Sequence, residues 1–198
     1  DVDYQYFFGG FGHFIGGPRA QSFSGKEFNR FFLQHKDDYV AAPFSTGLGF
    51  AYDSRTVVAA DLDRDGDLDL VIRNLQEQNL QLLRNDLQPH PPKLIVQLKQ
   101  DQHNPDAIGS LIEAKCGNKT QIRQITAGHS YLAQSPTEAH FGFGSCNQPI
   151  TVSVRWPNGE KTTHPNLAAD QLVVIHRSVG ITTQALTPPA PHEGPSPE

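Results

Sequence analysis

The sequence predicts an all-β fold. From residue 93 onward, six short β-branched runs, KLIVQLK, SLIEAKC, TQIRQITA, AHFGF, ITVSVRW and QLVVIHR, follow one another in about 85 residues, most of them separated by Gly, Pro, Asn or Asp. TQIRQITA and ITVSVRW alternate apolar with polar residues, the pattern of a strand with one buried face. Upstream, Thr56–Ala60 and Leu68–Ile72 are β-like flanks around an acidic loop. No segment has a sustained helical period, and glycines interrupt residues 1–50 too often for a long helix.

Taken in chain order, residues 1–90 form one segment. It opens on an aromatic, Gly-rich stretch with Tyr4, Tyr6, Phe7, Phe8, Phe11 and Phe14, a pattern that suits either blade packing or a subunit interface. It closes on the acidic loop and its flanks. A cluster at Pro89, Pro91 and Pro92 reads as a linker. Residues 91–178 carry the six strand runs and predict a small β-sandwich or barrel. Residues 179–198 end in TPPAPHEGPSPE and read as a Pro-rich tail.

The chain has 198 residues and a net charge of -5, with 16 Lys plus Arg against 21 Asp plus Glu. No basic surplus exists to neutralise phosphates, so nucleic acid is not an expected partner. No apolar run is long enough for a membrane-spanning helix. The chain contains no Met and starts at Asp1, which suits either a cleaved signal peptide, as expected of a secreted protein of an extracellular or periplasmic compartment, or excision from a longer protein. Its two cysteines, Cys116 and Cys146, suit one disulfide there; two buried thiols are the alternative.

The acidity has an address. Asp61, Asp63, Asp65, Asp67 and Asp69 occupy alternate positions of DLDRDGDLD, and without these five the remaining acids and bases balance at 16 each. Carboxylates packed 4–5 Å apart repel by roughly 3–4 kcal/mol per pair at an effective dielectric near 20. A hard divalent cation offsets that repulsion, and an all-oxygen donor set favours Ca²⁺, with Mg²⁺ second. Gly66 supplies the permissive backbone for the curl. Asp61, Asp63, Asp65 and Asp69 are expected to offer side-chain oxygens and Asp67 its backbone carbonyl. The loop starts like an EF-hand but carries Ile72 where that motif needs Glu, so the unit is a strand–calcium loop–strand.

DLDRDGDLDLVIRN resembles the calcium loop of FG-GAP or VCBS repeats, which form blades of β-propellers. The segment after it resembles the ASPIC/UnbV domain in four places: Asn104-Pro105-Asp106-Ala107-Ile108-Gly109, Gly128-His129-Ser130-Tyr131-Leu132-Ala133-Gln134-Ser135, His140-Phe141-Gly142-Phe143-Gly144 and Val154-Arg155-Trp156-Pro157-Asn158-Gly159. Ser22–Arg30 is similar to bacterial members of the cartilage acidic protein family. The resemblance implies partial β-propeller-like calcium-loop blades followed by a small β-sandwich, with no catalytic residues. A propeller needs four or more blades and residues 1–90 supply about two, so the blades are expected to be completed by other protein subunits or by more chain.

The function expected from these features is a non-catalytic, calcium-binding extracellular β module that mediates protein–protein contact or assembly. One alternative is a calcium-dependent carbohydrate-binding module, disfavoured because the single Trp156 lies at a turn. Another is a hydrolase using carboxylates, or a thiol of Cys116 or Cys146 with His129 or His140. No Gly-x-Ser-x-Gly elbow, phosphate loop or Cys-x-x-Cys-His haem motif is present.

Overall fold

The structure is a computed structural model, and it describes residues 28–35, 38–41, 49–75, 79–86, 90–101 and 103–187. The aromatic stretch from Tyr4 to Phe14, the Ser22–Glu27 part of the upstream motif and the tail from residue 188 lie outside the described residues. Thirteen strands and no helix occupy the described residues. The chain divides into two compact units. One holds residues 1–56 and 72–81, the other residues 57–71 and 82–198.

In the first unit, β1 (Phe32–His35) and β2 (Asp38–Ala41) form an antiparallel hairpin. Phe28 bridges to Ala51, and Asn29 N–H donates to the Phe50 carbonyl. A polar chain runs through its interior. Ser54 Oγ donates to Asn74 Oδ1 at 2.8 Å, and Asn74 Nδ2 donates to Gln81 Oε1 at 3.0 Å. Asn74 is fully buried, and these bonds meet the requirement that a buried amide be satisfied.

The strands around the acidic loop, β3 (Ser54–Ala60), β4 (Asp69–Asn74) and β5 (Leu80–Leu83), make a three-stranded sheet in the order β3-β4-β5. Residues 57–60, 69–71 and 82–83 of it belong to the second unit.

The rest of the second unit is a sandwich. Its first sheet has the order β11-β10-β7-β8, built from β7 (Leu111–Cys116), β8 (Lys119–Gln124), β10 (Ile150–Arg155) and β11 (Lys161–Leu167), all antiparallel. Its second has the order β13-β12-β6-β9, built from β6 (Lys93–Lys99), β9 (Glu138–Gly142), β12 (Gln171–His176) and β13 (Gly180–Ala185), with β12 and β6 parallel. Alternate residues of the two sheets face each other. Ile112, Ala114, Ile150, Val152 and Val154 from the first meet Leu94, Val96, Leu98, Phe141, Val173 and Ile175 from the second in one buried cluster. This is the core that the alternating runs predict.

Cys116, at the end of β7, and Cys146, before β10, form a disulfide with Cα atoms 6.3 Å apart, so the pairing expected from the sequence is present. Closing a loop of 30 residues restricts the unfolded chain by about 3–4 kcal/mol. Two strands of the sandwich were not among the six runs. β11 contains Pro165, which is tolerated because β11 is an edge strand with a register shift against β10. β13 lies within the segment read as a Pro-rich tail. Residues 180–187, GITTQALT, contain no proline and are rich in β-branched residues, so the strand pairs with β12 before the prolines begin at Pro188.

Three of the four motifs that resemble ASPIC/UnbV build turns, and the fourth puts His140–Gly142 in β9 with Gly144 at φ 61° just beyond it. Asn104 closes its own loop: its Oδ1 accepts from Ile108 N–H and its Nδ2 donates to the Ile108 carbonyl, both at 2.9 Å. Trp156 is 1% exposed, its Nε1 donates to Thr162 Oγ1, and Gly159, at φ 89°, donates back to the Trp156 carbonyl. Gly128, Ser130 and Leu132 all take positive φ in an exposed turn.

Candidate metal centre

The acidic loop begins where β3 ends at Ala60 and returns at Asp69, the first residue of β4. Two left-handed residues, Arg64 at φ 64° and Gly66 at φ 93°, curl the backbone between them. The curl turns aspartates inward. Asp61, Asp63 and Asp65 each present a carboxylate oxygen, and the three oxygens lie within 4.8 Å of one another. Asp61 and Asp65 are each only 4% exposed.

Each of these three uses one oxygen to brace the loop. Asp61 Oδ2 accepts from Gly66 N–H at 3.0 Å, Asp63 Oδ1 from Asp65 N–H at 3.4 Å, and Asp65 Oδ1 from Asp67 N–H at 2.8 Å. Asp61 Oδ1 is shut off from solvent and has no hydrogen-bond partner. A buried carboxylate oxygen without a donor is costly, and a bound cation or a proton would relieve it. Burial, first of all, raises the pKa of both Asp61 and Asp65 above the ordinary 3.8. The Gly66 N–H bond opposes this at Asp61; at Asp65 the Asp67 N–H bond opposes it while Asp63 and Asp67 add to it.

The other two aspartates do different work. Asp69 spends both oxygens on backbone, accepting from Leu62 N–H at 2.9 Å and Asn85 N–H at 2.8 Å, and so pins the two ends of the loop. Asp67 points its carboxylate at His90 Nδ1, 2.7 Å away, and at Lys93 Nζ, 2.9 Å away. Lys93 Nζ is buried with no well-aligned hydrogen bond, so its contact with Asp67 is an ion pair held by charge. Of the five aspartates singled out in the sequence, the structure therefore groups Asp61, Asp63 and Asp65, and places the side chains of Asp67 and Asp69 outside that group.

Sequence reading missed the loop's surroundings. Arg64 donates from one guanidinium nitrogen to both oxygens of Glu138 at 3.0 Å, and the Glu138 side chain is only 3% exposed. Burial alone acts to raise the Glu138 pKa. Hydrogen bonds from His140 and Arg64, with the charge of both, outweigh it and hold the carboxyl below its ordinary value. The Arg64 carbonyl accepts from Thr187 N–H at 2.8 Å. One sequence signal pointed here. KLIVQLK is apolar on consecutive residues, the mark of a strand covered on both faces, and Ile95 is indeed fully buried yet outside the sandwich core. Lys93, Ile95, Glu138 and His140 share that second face by register, with Ile95 opposite His140.

Of the groups weighed for thiol chemistry, Cys116 and Cys146 are bonded to each other and His140 Nε2 lies 3.5 Å from Glu138. No helix among the described residues is long and apolar enough to cross a membrane. No curated protein and no solved structure matches the chain. Residues 100–182, from the end of β6 into β13, match the family described as ASPIC and UnbV.

Proposed function

We propose that the chain is a non-catalytic, calcium-binding extracellular or periplasmic β module whose acidic loop takes one Ca²⁺ and whose role is contact with other protein subunits. The observation that carries the metal reading is the buried, unpartnered Asp61 Oδ1 beside the carboxylates of Asp63 and Asp65. Asp61, Asp63 and Asp65 would hold the ion. Its charge would remove their mutual repulsion and keep the loop curled. Hard oxygen donors fit Ca²⁺ better than Zn²⁺ or copper. Strands β3 to β5 read best as propeller-like blade strands of the FG-GAP or VCBS kind, with other subunits or more chain completing the set. The disulfide suits an oxidising compartment.

Calorimetric titration of the chain with Ca²⁺ tests the site. One-to-one binding is expected, with Mg²⁺ weaker and Asp61→Ala lowering Ca²⁺ affinity by about 100-fold or more. Calcium at about 100 times its dissociation constant adds about 2.7 kcal/mol. In a chain of this size that is a rise in Tm of roughly 5–10 °C, reversed by EDTA. No heat of binding and no EDTA effect would sink the reading.

A second reading has one observation in its favour. An open cleft of about 560 Å³ is lined by the apolar Val58, Ala60, Leu62 and Val71 together with the polar Asp106 and Gln134. A mixed apolar and polar lining suits a sugar ring, and Leu62 belongs to the acidic loop. Trp156, being buried, offers no stacking platform. A glycan array probed with and without Ca²⁺ separates this carbohydrate-binding reading from the first.

A further inference from the structure

The residues of the acidic loop that do not face the proposed ion face the sandwich. Arg64 holds buried Glu138 of β9 through two contacts at 3.0 Å. Asp67 holds Lys93, the first residue of β6, at 2.9 Å. The Arg64 carbonyl takes Thr187 N–H at 2.8 Å, just beyond β13. Gly66 is pressed so closely that a Cβ there would lie 2.5 Å from Leu186 Cδ1 and 2.7 Å from Lys93 Cε. Residues of one loop thus divide the labour: the carboxylates of 61, 63 and 65 converge on one another, while 64, 66 and 67 touch the sandwich.

Resting on the calcium reading, we propose that the sandwich is a working part of the cation site: its Glu138, Lys93 and Leu186–Thr187 clamp Arg64, Asp67 and Gly66, and so set the separation of the three carboxylates. The backbone at Arg64 supports this. A non-glycine residue in the left-handed region is disfavoured by roughly 1–2 kcal/mol and persists where its surroundings over-determine it. Here the bidentate Glu138 contact and the Thr187 bond over-determine it. Groups behind the ligating residues orient metal ligands in this way, and losing them commonly lowers affinity 10–100-fold. The coupling is reciprocal: if the clamp tightens cation binding, cation binding tightens the clamp by the same factor.

The sign of one substitution makes the test sharp. Arg64 is a positive charge near the proposed cation. If it acts only as a charge, Arg64→Ala raises Ca²⁺ affinity. If it acts as a clamp, Arg64→Ala lowers it, and about tenfold is expected. Calorimetric Ca²⁺ titration of the full chain reads this out, with the near-ultraviolet circular dichroism of Trp156 showing that the sandwich stays folded. Hydrogen exchange on the unaltered chain needs no variant. Added Ca²⁺ is expected to slow exchange in β9 and at Leu186 and Thr187 as well as within 61–69. Equal or higher affinity in folded Arg64→Ala, or slowing confined to 61–69, overturns the clamp while leaving the metal site standing. Absence of Ca²⁺ binding by the unaltered chain overturns the metal reading, and the clamp with it.

Discussion

Two loops of the second unit share a design and end in opposite states. The loop from Asp61 to Asp69 and the loop from Asn104 to Gly109 each contain at least one aspartate, a non-glycine residue at positive φ (Arg64 and Ala107) and a glycine at φ 93° (Gly66 and Gly109). In the second loop every polar group named finds a partner. Asn104 bonds Ile108 on both sides, Asp106 meets Lys99 at 2.6 Å, and Gly109 N–H donates to the Ile125 carbonyl at 2.8 Å. In the first loop the aspartates brace the backbone and still leave Asp61 Oδ1 buried without a donor. An acidic turn is therefore not a metal site by composition. The distinction lies in whether the chain supplies its own donors.

The glycines give the largest expected contrast. Gly109→Ala meets open space and carries only the left-handed penalty, roughly 1–2 kcal/mol. Gly66→Ala carries that penalty and must also displace Leu186 and Lys93, for a total of about 2–4 kcal/mol. Urea unfolding of both variants measures the difference, and equal losses would mean the first loop is not packed against the sandwich as described.

Next in size is a pair of side-chain deletions with opposite dependence on metal. Asn104→Ala breaks two hydrogen bonds and is expected to cost about 1–3 kcal/mol, the same in Ca²⁺ and in EDTA. Asp65→Asn is expected to lower stability in Ca²⁺ but raise it slightly in EDTA. The folded-state pKa of Asp65 lies above its unfolded value of 3.8, so without metal the ionised carboxylate opposes folding at neutral pH. That opposition is full above the folded pKa and fades as pH falls through it toward 3.8. The advantage of Asp65→Asn in EDTA should therefore shrink on acidification. Melting curves from pH 7 to pH 4 check it, and an advantage that grows with acid would contradict the burial of Asp65.

The smallest effect is expected at Lys99→Ala. Its pair with Asp106 is about one-third exposed on both sides, so its loss should cost roughly 0–1 kcal/mol and leave Ca²⁺ binding unchanged. A shift in Ca²⁺ affinity would show that the two loops communicate.

Much of the sandwich was legible because side-chain period is a local signal. KLIVQLK is β6 residue for residue, and ITVSVRW contains all of β10. β11 and β13 were not legible. The first has the polar residues Thr162 and His164 at its half-buried positions and carries Pro165, and the second is exposed along its whole length, so neither shows an alternation of apolar residues to read. At the acidic loop, residue spacing brought out Asp61, Asp63 and Asp65, since alternation around a Gly-centred curl turns them together. It set the Asp67 carboxylate aside, which His90 and Lys93 claim, but could not separate Asp69, whose two oxygens are taken by backbone N–H groups. Glu138 is 74 residues from Arg64, and no local pattern links the two.

The parallel pairing of β6 with β12 has a consequence for how the chain comes together. Lys93–Lys99 lies at the centre of its sheet, yet its parallel neighbour is Gln171–His176, more than 70 residues later. During synthesis the β6–β9 and β7–β8 pairs can form early, but the middle of the sandwich stays open on one side until β12 emerges. Non-local pairing of this kind slows folding and leaves an unpaired strand side exposed in the meantime. Until that late strand arrives, the backbone edge of β6 that β12 will pair is an adhesive surface of the nascent chain. Slow synthesis would lengthen this exposure, making the interval before β12 the period when a holding chaperone would help most.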